Sequence, residues 1–250
     1  MQRTVFNQTL AGKDSEAVHR VRKLTQRRAP GEVLLEGPRV ILEAVACGVE
    51  LDLLVVREGD SFDAPARRGI TVSAAIFKSL SQTVSPQGVL AIARWDPSSL
   101  DEAIAAAALA GWPLVVLDGI QDPGNVGAIC RSAAAAGAPA LVLLPATADP
   151  FGPKAVRASA GNVFRLVVAR ADRSELPLGR VWGAASAGGT DLAMAPLETA
   201  TALVLGSEAH GLSGETLNLV TIPVAGGVES LNVAAAAAVL LFEIRRRKSG

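Results

Sequence analysis

From residue 112 onward the chain alternates short, continuously apolar runs with segments of helical spacing, and this alternation restricts the fold more than any other feature. Strands are predicted at 114–117, 140–144, 163–168, 180–186, 201–205 and 220–224, and helices at 129–136, 155–160 and 231–247. A strand that is apolar at successive positions leaves no face for water, so helices must cover both sides of the sheet. Alternating helices supply the crossovers that parallel strands require. The fold class is therefore α/β, with a parallel sheet in this part of the chain.

The residues in front form a smaller α/β unit. A strand at 32–36 is ended by Gly37-Pro38, a helix at 39–47 is stopped by Gly48, and further strands are predicted at 51–56 and 88–93. Between the last two lie an apolar segment at 70–72 and a short helix at 77–80. Asp96-Pro97-Ser98-Ser99 is a turn-rich seam before an Ala-rich helix. The expected division is 1–95 as one domain, 96–111 as a linking helix and 112–250 as the second domain.

With half of its residues hydrophobic and 19% charged, the chain has the composition of a folded protein and not of a disordered one. Cys47 and Cys130 sit in no metal-ligand or CxxC spacing, so no metal is expected and both are read as reduced, buried thiols. The longest apolar stretch, 103–117, is broken by Gly111 and Pro113 and is shorter than the ~20 residues of a membrane helix. Asn7, Gln8, Lys13, Asp14 and Glu16 interrupt any leader-like run. No membrane partner is expected, and the cytoplasm is the expected location.

Formal net charge is zero, yet residues 1–40 carry eight Lys/Arg against four acids. Arg20, Lys23, Arg27 and Arg28, with Arg39 beyond them, form a phosphate-binding candidate. A solvated helix face would have the same charge pattern, so charge alone leaves both readings open. Tyr is absent and aromatic residues make up 4% of the chain, which argues against extensive base stacking. An RNA partner would then be recognised by shape and phosphates.

Three glycine-containing loops each follow an apolar strand, and ligands of parallel sheets collect at the carboxyl ends of strands. The first, Asp118-Gly119-Ile120-Gln121-Asp122-Pro123-Gly124-Asn125-Val126-Gly127, leads into a helix bearing Arg131. The second is Gly206-Ser207-Glu208-Ala209-His210-Gly211-Leu212-Ser213. The third, Ile222-Pro223-Val224-Ala225-Gly226-Gly227, precedes Glu229-Ser230-Leu231-Asn232 at the start of the last helix. None has the GxGxxG spacing or a Walker lysine, which counts against a dinucleotide or nucleoside triphosphate site.

Together these loops offer close backbone approach at glycines, amides and hydroxyls at helix starts, one carboxylate and one guanidinium, which suits methyl transfer to an oxygen. Arg131 could clamp a phosphate bidentately or pair with Asp118 or Asp122. Glu208 could orient Arg131 or Asn125, or simply favour a helix N-terminus. Ser230 and Asn232 are suited to capping and to substrate contact at once. His210 is read as a loop residue, not as a base.

Asn125-x-Gly127-x-x-x-Arg131, Gly206-Ser207-Glu208 with Gly211-Leu212, and Ile222-Pro223 to Gly226 with Ser230-Leu231-Asn232-Val233 resemble, in order, the three motifs of the SpoU (TrmH-like) family of RNA methyltransferases in the SPOUT superfamily. In front, Leu34-Leu35-Glu36-Gly37-Pro38-Arg39 and the run from Ser81 to Val89 resemble that family's L30e-like substrate-binding domain. The resemblance implies a SPOUT-type sheet with a trefoil knot, a homodimer, and transfer of a methyl group from S-adenosylmethionine to a ribose 2′-hydroxyl in structured RNA. Ribosomal RNA is favoured over transfer RNA.

The same resemblance makes Asn125, Arg131, Glu208, Ser230 and Asn232 the catalytic candidates. It places cofactor contacts at Leu205, Gly206, Ile222, Gly226 and Leu231, and further RNA contacts at Lys154 and Arg157. Ala234 stands where many members have Ser, so any contact made by that hydroxyl is absent. Three other readings compete. A non-enzymatic RNA-binding protein of the same fold is disfavoured by the full set of motif residues. Methylation of a base nitrogen is disfavoured by the Asn/Arg first motif, and a small-molecule nucleotide enzyme by the missing phosphate fingerprints.

Overall fold

A computed structural model describes residues 10–176, 179–206, 218–226 and 228–249. The first elements in chain order are α1 (Glu16–Gln26), β1 (Glu32–Glu36), α2 (Pro38–Ala46), β2 (Leu51–Arg57), β3 (Ala66–Val72), α3 (Ala74–Leu80) and β4 (Val89–Arg94). There follow α4 (Leu100–Leu109), β5 (Leu114–Asp118), α5 (Pro123–Ala136), β6 (Ala140–Leu143), α6 (Pro153–Ala158) and β7 (Val167–Arg170). The last are β8 (Val181–Ala185), β9 (Thr190–Asp191), β10 (Ala202–Gly206), β11 (Asn218–Thr221) and α7 (Val233–Lys248).

These elements form two compact units. One joins the residues up to Asp96 with the later segment Phe151–Phe164, and the other holds Pro97–Pro150 and the residues from Arg165 on. Chain order alone would have placed Phe151–Phe164 with the second unit.

In the first unit the sheet order is β1-β4-β2-β3, with β4 antiparallel to β1 and β2, and β2 parallel to β3. Ser15 caps α1, and Val18, Val21 and Leu24 recur at helical spacing, so one face of that helix is buried and the basic residues lie elsewhere. That face packs with Phe77 and Leu80 of α3 on Leu34, Leu53, Val55, Leu90 and Ile92. Val33 and Leu35 point the other way by strand alternation, and α2 and α6 pack on β1. Phe151 and Phe164 meet Trp95 at centroid distances of 5.8 and 5.2 Å, which anchors the later segment in this unit. Within it a strand was expected at 163–168, but residues Asn162–Arg165 form a 3-10 turn and the strand begins at Val167.

The second unit holds a parallel sheet, ordered β7-β6-β5-β10-β8-β11-β9 among the described residues. The helix expected to act as a linker, α4, packs on this sheet with Ala103 and Ala107 buried against Leu114, Val116 and Val142. Ser99 and Glu102 form a capping box at its start. Strand β11 ends at Thr221 instead of running to 224, because Pro223 has no N–H to give a ladder. The stretch from β10 to β11 through which the expected knot would be tied includes residues 207–217, outside the described residues. No helix among the described residues is long and apolar enough to cross a membrane.

Helix α7 packs on α5 and is fixed at its far end by arginines. Arg247 bonds Glu243 at 2.7 Å, Glu198 at 3.1 Å and the carbonyls of Leu192, Ala193 and Ala195. Basic residues at 245–248 could act merely as complements to the carboxyl end of the helix. Instead, Arg247 binds the 192–198 segment to the helix, and Arg246 and Arg247 hold the Glu243 carboxyl down to about 2.

Candidate active site

Strands β5 and β10 are neighbours, with Asp118 opposite Gly206 at their carboxyl ends. From that pair the chain leaves in opposite directions, toward β6 on one side and toward β11 on the other. A crevice forms where such a sheet switches direction, and the first two glycine loops both start there.

The first loop is shorter than its sequence suggests. Asp122 is the N-cap of α5, its Oδ2 accepting the Asn125 N–H at 3.2 Å, and Pro123 occupies the first helical turn. Proline is well suited there because its missing N–H has no partner to lose. Asn125 and Gly127 therefore lie on the helix and not in the loop. Gly119, at φ +67°, makes the turn out of β5.

Asn232 is the N-cap of α7. Its Oδ1 accepts the Ala234 N–H at 2.9 Å, which directs its amide nitrogen outward. That Nδ2 donates to Asn125 Oδ1 at 3.2 Å, joining the starts of α5 and α7. At the other end Arg245 Nη1 donates to the Ala135 carbonyl at 2.6 Å. Start meets start and end meets end, so α5 and α7 run parallel and their N-termini converge. Each terminus carries a partial positive charge of roughly half an elementary unit, so the site favours developing negative charge.

Arg131 lies on α5 six residues beyond Asn125 and is exposed. Helical side chains lean toward the N-terminus, which for Arg131 is the end of α5 that bears Asn125. The alternative pairing with Asp118 or Asp122 is not what forms. Asp118 bonds Arg173 at 2.6 Å, Asp122 caps α5, and Arg131 has no ion pair among the described residues.

Leu205 is buried at the end of β10 and Gly206 is half-buried. Ile222 and Leu231 are half-buried, and Gly226 and Ser230 are exposed, in the segment between β11 and α7. Glu208 and His210 lie outside the described residues. A Cβ on Gly226 would meet nothing within 4 Å, and Val224 and Val228 expose apolar surface beside it. Open backbone flanked by apolar side chains at a strand end fits a cofactor with a flat heterocycle and a sulfonium. No group of His, Cys, Asp and Glu among the described residues could hold a metal. Cys130 is buried, which pushes its thiol up to about 12, whereas Cys47 is half-buried and not fully buried as expected.

The expected RNA contacts divide in two. Lys23, Arg27, Arg39 and Lys154 are exposed. Arg20 instead bonds Glu32 and Asp52, both at 2.5 Å, so two carboxylates already neutralise it. Arg28 stacks over Phe151 at 5.3 Å and donates to the Glu32 carbonyl. Arg157 donates to Gln82 at 3.1 Å and lies 3.5 Å from Glu36. Glu36 itself is buried and accepts from Ser81, Thr83 and the Gln82 N–H, so the two front motifs form one network. Sequence reasoning missed Thr147 and Arg173, which brace the first loop from outside every glycine motif. The Asp122-Pro123 pair was a readable helix start.

Comparison with known proteins gives two family matches, the SpoU rRNA Methylase family over residues 113–242 and the MRM3-like substrate binding domain over residues 15–91. The 23S rRNA (guanosine(2553)-2′-O)-methyltransferase RlmP of Bacillus subtilis is 30% identical over 247 residues, covering 93% of this chain and 95% of its own. The SpoU methyltransferase AviRb from Streptomyces viridochromogenes, solved with AdoMet, superposes with a TM-score of 0.81 at 26% identity, over 94% of this chain and 99% of its own. An AdoMet-bound rRNA methyltransferase from Sinorhizobium meliloti gives 0.81 at 28% identity, over 97% of this chain and 98% of its own.

Proposed function

The chain belongs to the SpoU rRNA methylase family, and from that premise we propose that it transfers a methyl group from S-adenosylmethionine to the 2′-hydroxyl of a ribose in ribosomal RNA. Guanosine is the nucleoside we assign, by likeness to relatives that act on guanosine in 23S rRNA. The observation that carries the reading is the Asn125–Asn232 contact, which joins two separate motifs beside the end of β10. Bound S-adenosylmethionine supplies a methyl group on a positively charged sulfur, open to attack by an oxygen. Leu205, Gly206, Ile222, Gly226 and Leu231 would hold it, largely through their backbone.

The chain's own side chains serve the RNA end. Arg131 clamps the phosphate beside the target ribose with its two-pronged guanidinium. A guanidinium is effectively never deprotonated in proteins, so Arg131 orients and neutralises while the clamped phosphate oxygen takes the 2′-hydroxyl proton. Asn125, held by Asn232, presents its amide to the ribose, with Ser230 of the third motif and Glu208, outside the described residues, as the remaining catalytic candidates. Two helix N-termini then favour the oxyanion as it develops. In cells lacking the protein, one 2′-O-methylguanosine of ribosomal RNA should disappear and return on complementation; an unchanged set of ribose methylations would remove the assignment.

The first unit supplies RNA affinity through Lys23, Arg27 and Arg39, with Lys154 as a further contact. Changing those first three together to Ala should weaken RNA binding and flatten its dependence of log K on log salt by about 2, at roughly 0.7 per lost phosphate contact. An unchanged slope would mean the basic stretch is only solvated. The working unit is a homodimer in the cytoplasm. Val239 and Phe242, exposed with Ala235 on one side of α7, supply an apolar surface for the second copy. Sedimentation equilibrium should give twice the chain mass, and Phe242→Glu should give the monomer; a monomeric wild type would end that part of the reading.

A further inference from the structure

Thr147 belongs to none of the glycine motifs, yet its side chain is among the few buried polar ones of the described residues. It sits in the turn after β6, and its hydroxyl has two partners on the neighbouring strand's exit. The Oγ1–H donates to the Leu117 carbonyl at 3.0 Å, and the same oxygen accepts the Gly119 N–H at 3.0 Å. One residue on, the Ala148 N–H donates to the Ile120 carbonyl at 2.9 Å. The turn therefore grips three positions in the stretch that leads from β5 to the Asp122 cap and Asn125.

Two further observations converge on the same stretch. Ala146, immediately before Thr147, holds φ at +62°, a conformation that non-glycine residues adopt only when their surroundings impose it. On the other side Arg173, from beyond β7, bonds Asp118 at 2.6 Å, and that carboxylate is largely buried. The exit of β5 is thus braced from the ends of both β6 and β7. Thr147 is itself buried, so its effect on chemistry must pass through the placement of α5.

We propose that Thr147 is a positioning residue for methyl transfer, clamping the Leu117–Gly119 turn so that Asn125 and Arg131 are presented to the ribose at a fixed distance. The inference rests on the function proposed above. It needs a side chain that donates and accepts at one atom, which serine provides and valine does not. A displacement of about 1 Å at a reacting group can cost on the order of a hundredfold in rate, so a loosened turn should be visible in turnover.

The test compares Thr147→Val and Thr147→Ser in the full chain by amide hydrogen exchange at Gly119 and by steady-state kinetics with ribosomal RNA and S-adenosylmethionine. The Val variant should stay folded by circular dichroism, exchange the Gly119 proton faster, and lose roughly ten- to a hundredfold in kcat with KM for both substrates within about twofold. The Ser variant should keep slow Gly119 exchange and most of the turnover. Unchanged Gly119 exchange in the Val variant overturns the clamp, whatever the turnover. Faster exchange with unchanged kcat, or equal losses in the Ser and Val variants, overturns the positioning role. A wild type that transfers no methyl group to RNA defeats the parent function instead, and the Gly119 exchange still reads the clamp.

Discussion

Arg131→Ala is expected to lower methyl transfer by about a thousandfold while leaving S-adenosylmethionine affinity within a few-fold. The size follows from what is lost: one preorganised charged donor at a site of developing charge is worth roughly a hundred- to a thousandfold, and here the ribose would also lose its phosphate clamp. The separation from cofactor binding follows from position. Arg131 lies on α5, after β5, whereas the cofactor residues lie at the end of β10 and between β11 and α7. Structural damage should be small, because Arg131 is exposed and has no ion pair among the described residues. Arg131→Lys keeps the charge but not the fork, and should recover only a minor part of the rate. Single-turnover rates with saturating RNA, beside calorimetric titration of S-adenosylmethionine, check both halves. A variant with normal turnover would take Arg131 out of the chemistry.

Asn232 should separate capping from catalysis. Its Oδ1 caps α7 while its Nδ2 holds Asn125, so the two atoms have different tasks. Asn232→Asp keeps an acceptor for the Ala234 N–H but turns the other atom into an oxygen facing Asn125 Oδ1. Thermal stability should therefore stay close to wild type while transfer falls roughly tenfold to a hundredfold. Asn232→Ala loses both, with about 1 kcal/mol of stability from the missing cap. Melting curves and initial rates for the pair decide the matter; an Asp variant with wild-type turnover would leave Asn232 as a cap and nothing more.

The parallel sheet was legible because strands such as β5 and β10 are apolar at nearly every position, and only a two-sided layer accommodates that. The first and third loops were legible as glycine punctuation after β5 and β11, whereas the second, from 207 on, lies outside the described residues. What escaped was non-local. The α5 boundary was misplaced because glycines at 124 and 127 look like loop, although Asp122-Pro123 marks a helix start. Charge counting could not tell Arg20 from Lys23, since Glu32 and Asp52 reach Arg20 only once the sheet has formed. The membership of Phe151–Phe164 in the first unit depends on Trp95, more than fifty residues away in the chain. Thr147 carries no pattern at all, and its partners are visible only where β5 and β6 lie side by side.

The most direct measurement is transfer of label from methyl-tritiated S-adenosylmethionine by the purified chain to ribosomal RNA from cells lacking it, followed by digestion and nucleoside chromatography. Label should co-elute with 2′-O-methylguanosine and disappear with Arg131→Ala. Label in a base-methylated nucleoside, or none despite measurable cofactor binding and RNA binding, would contradict ribose methylation as the activity of this chain.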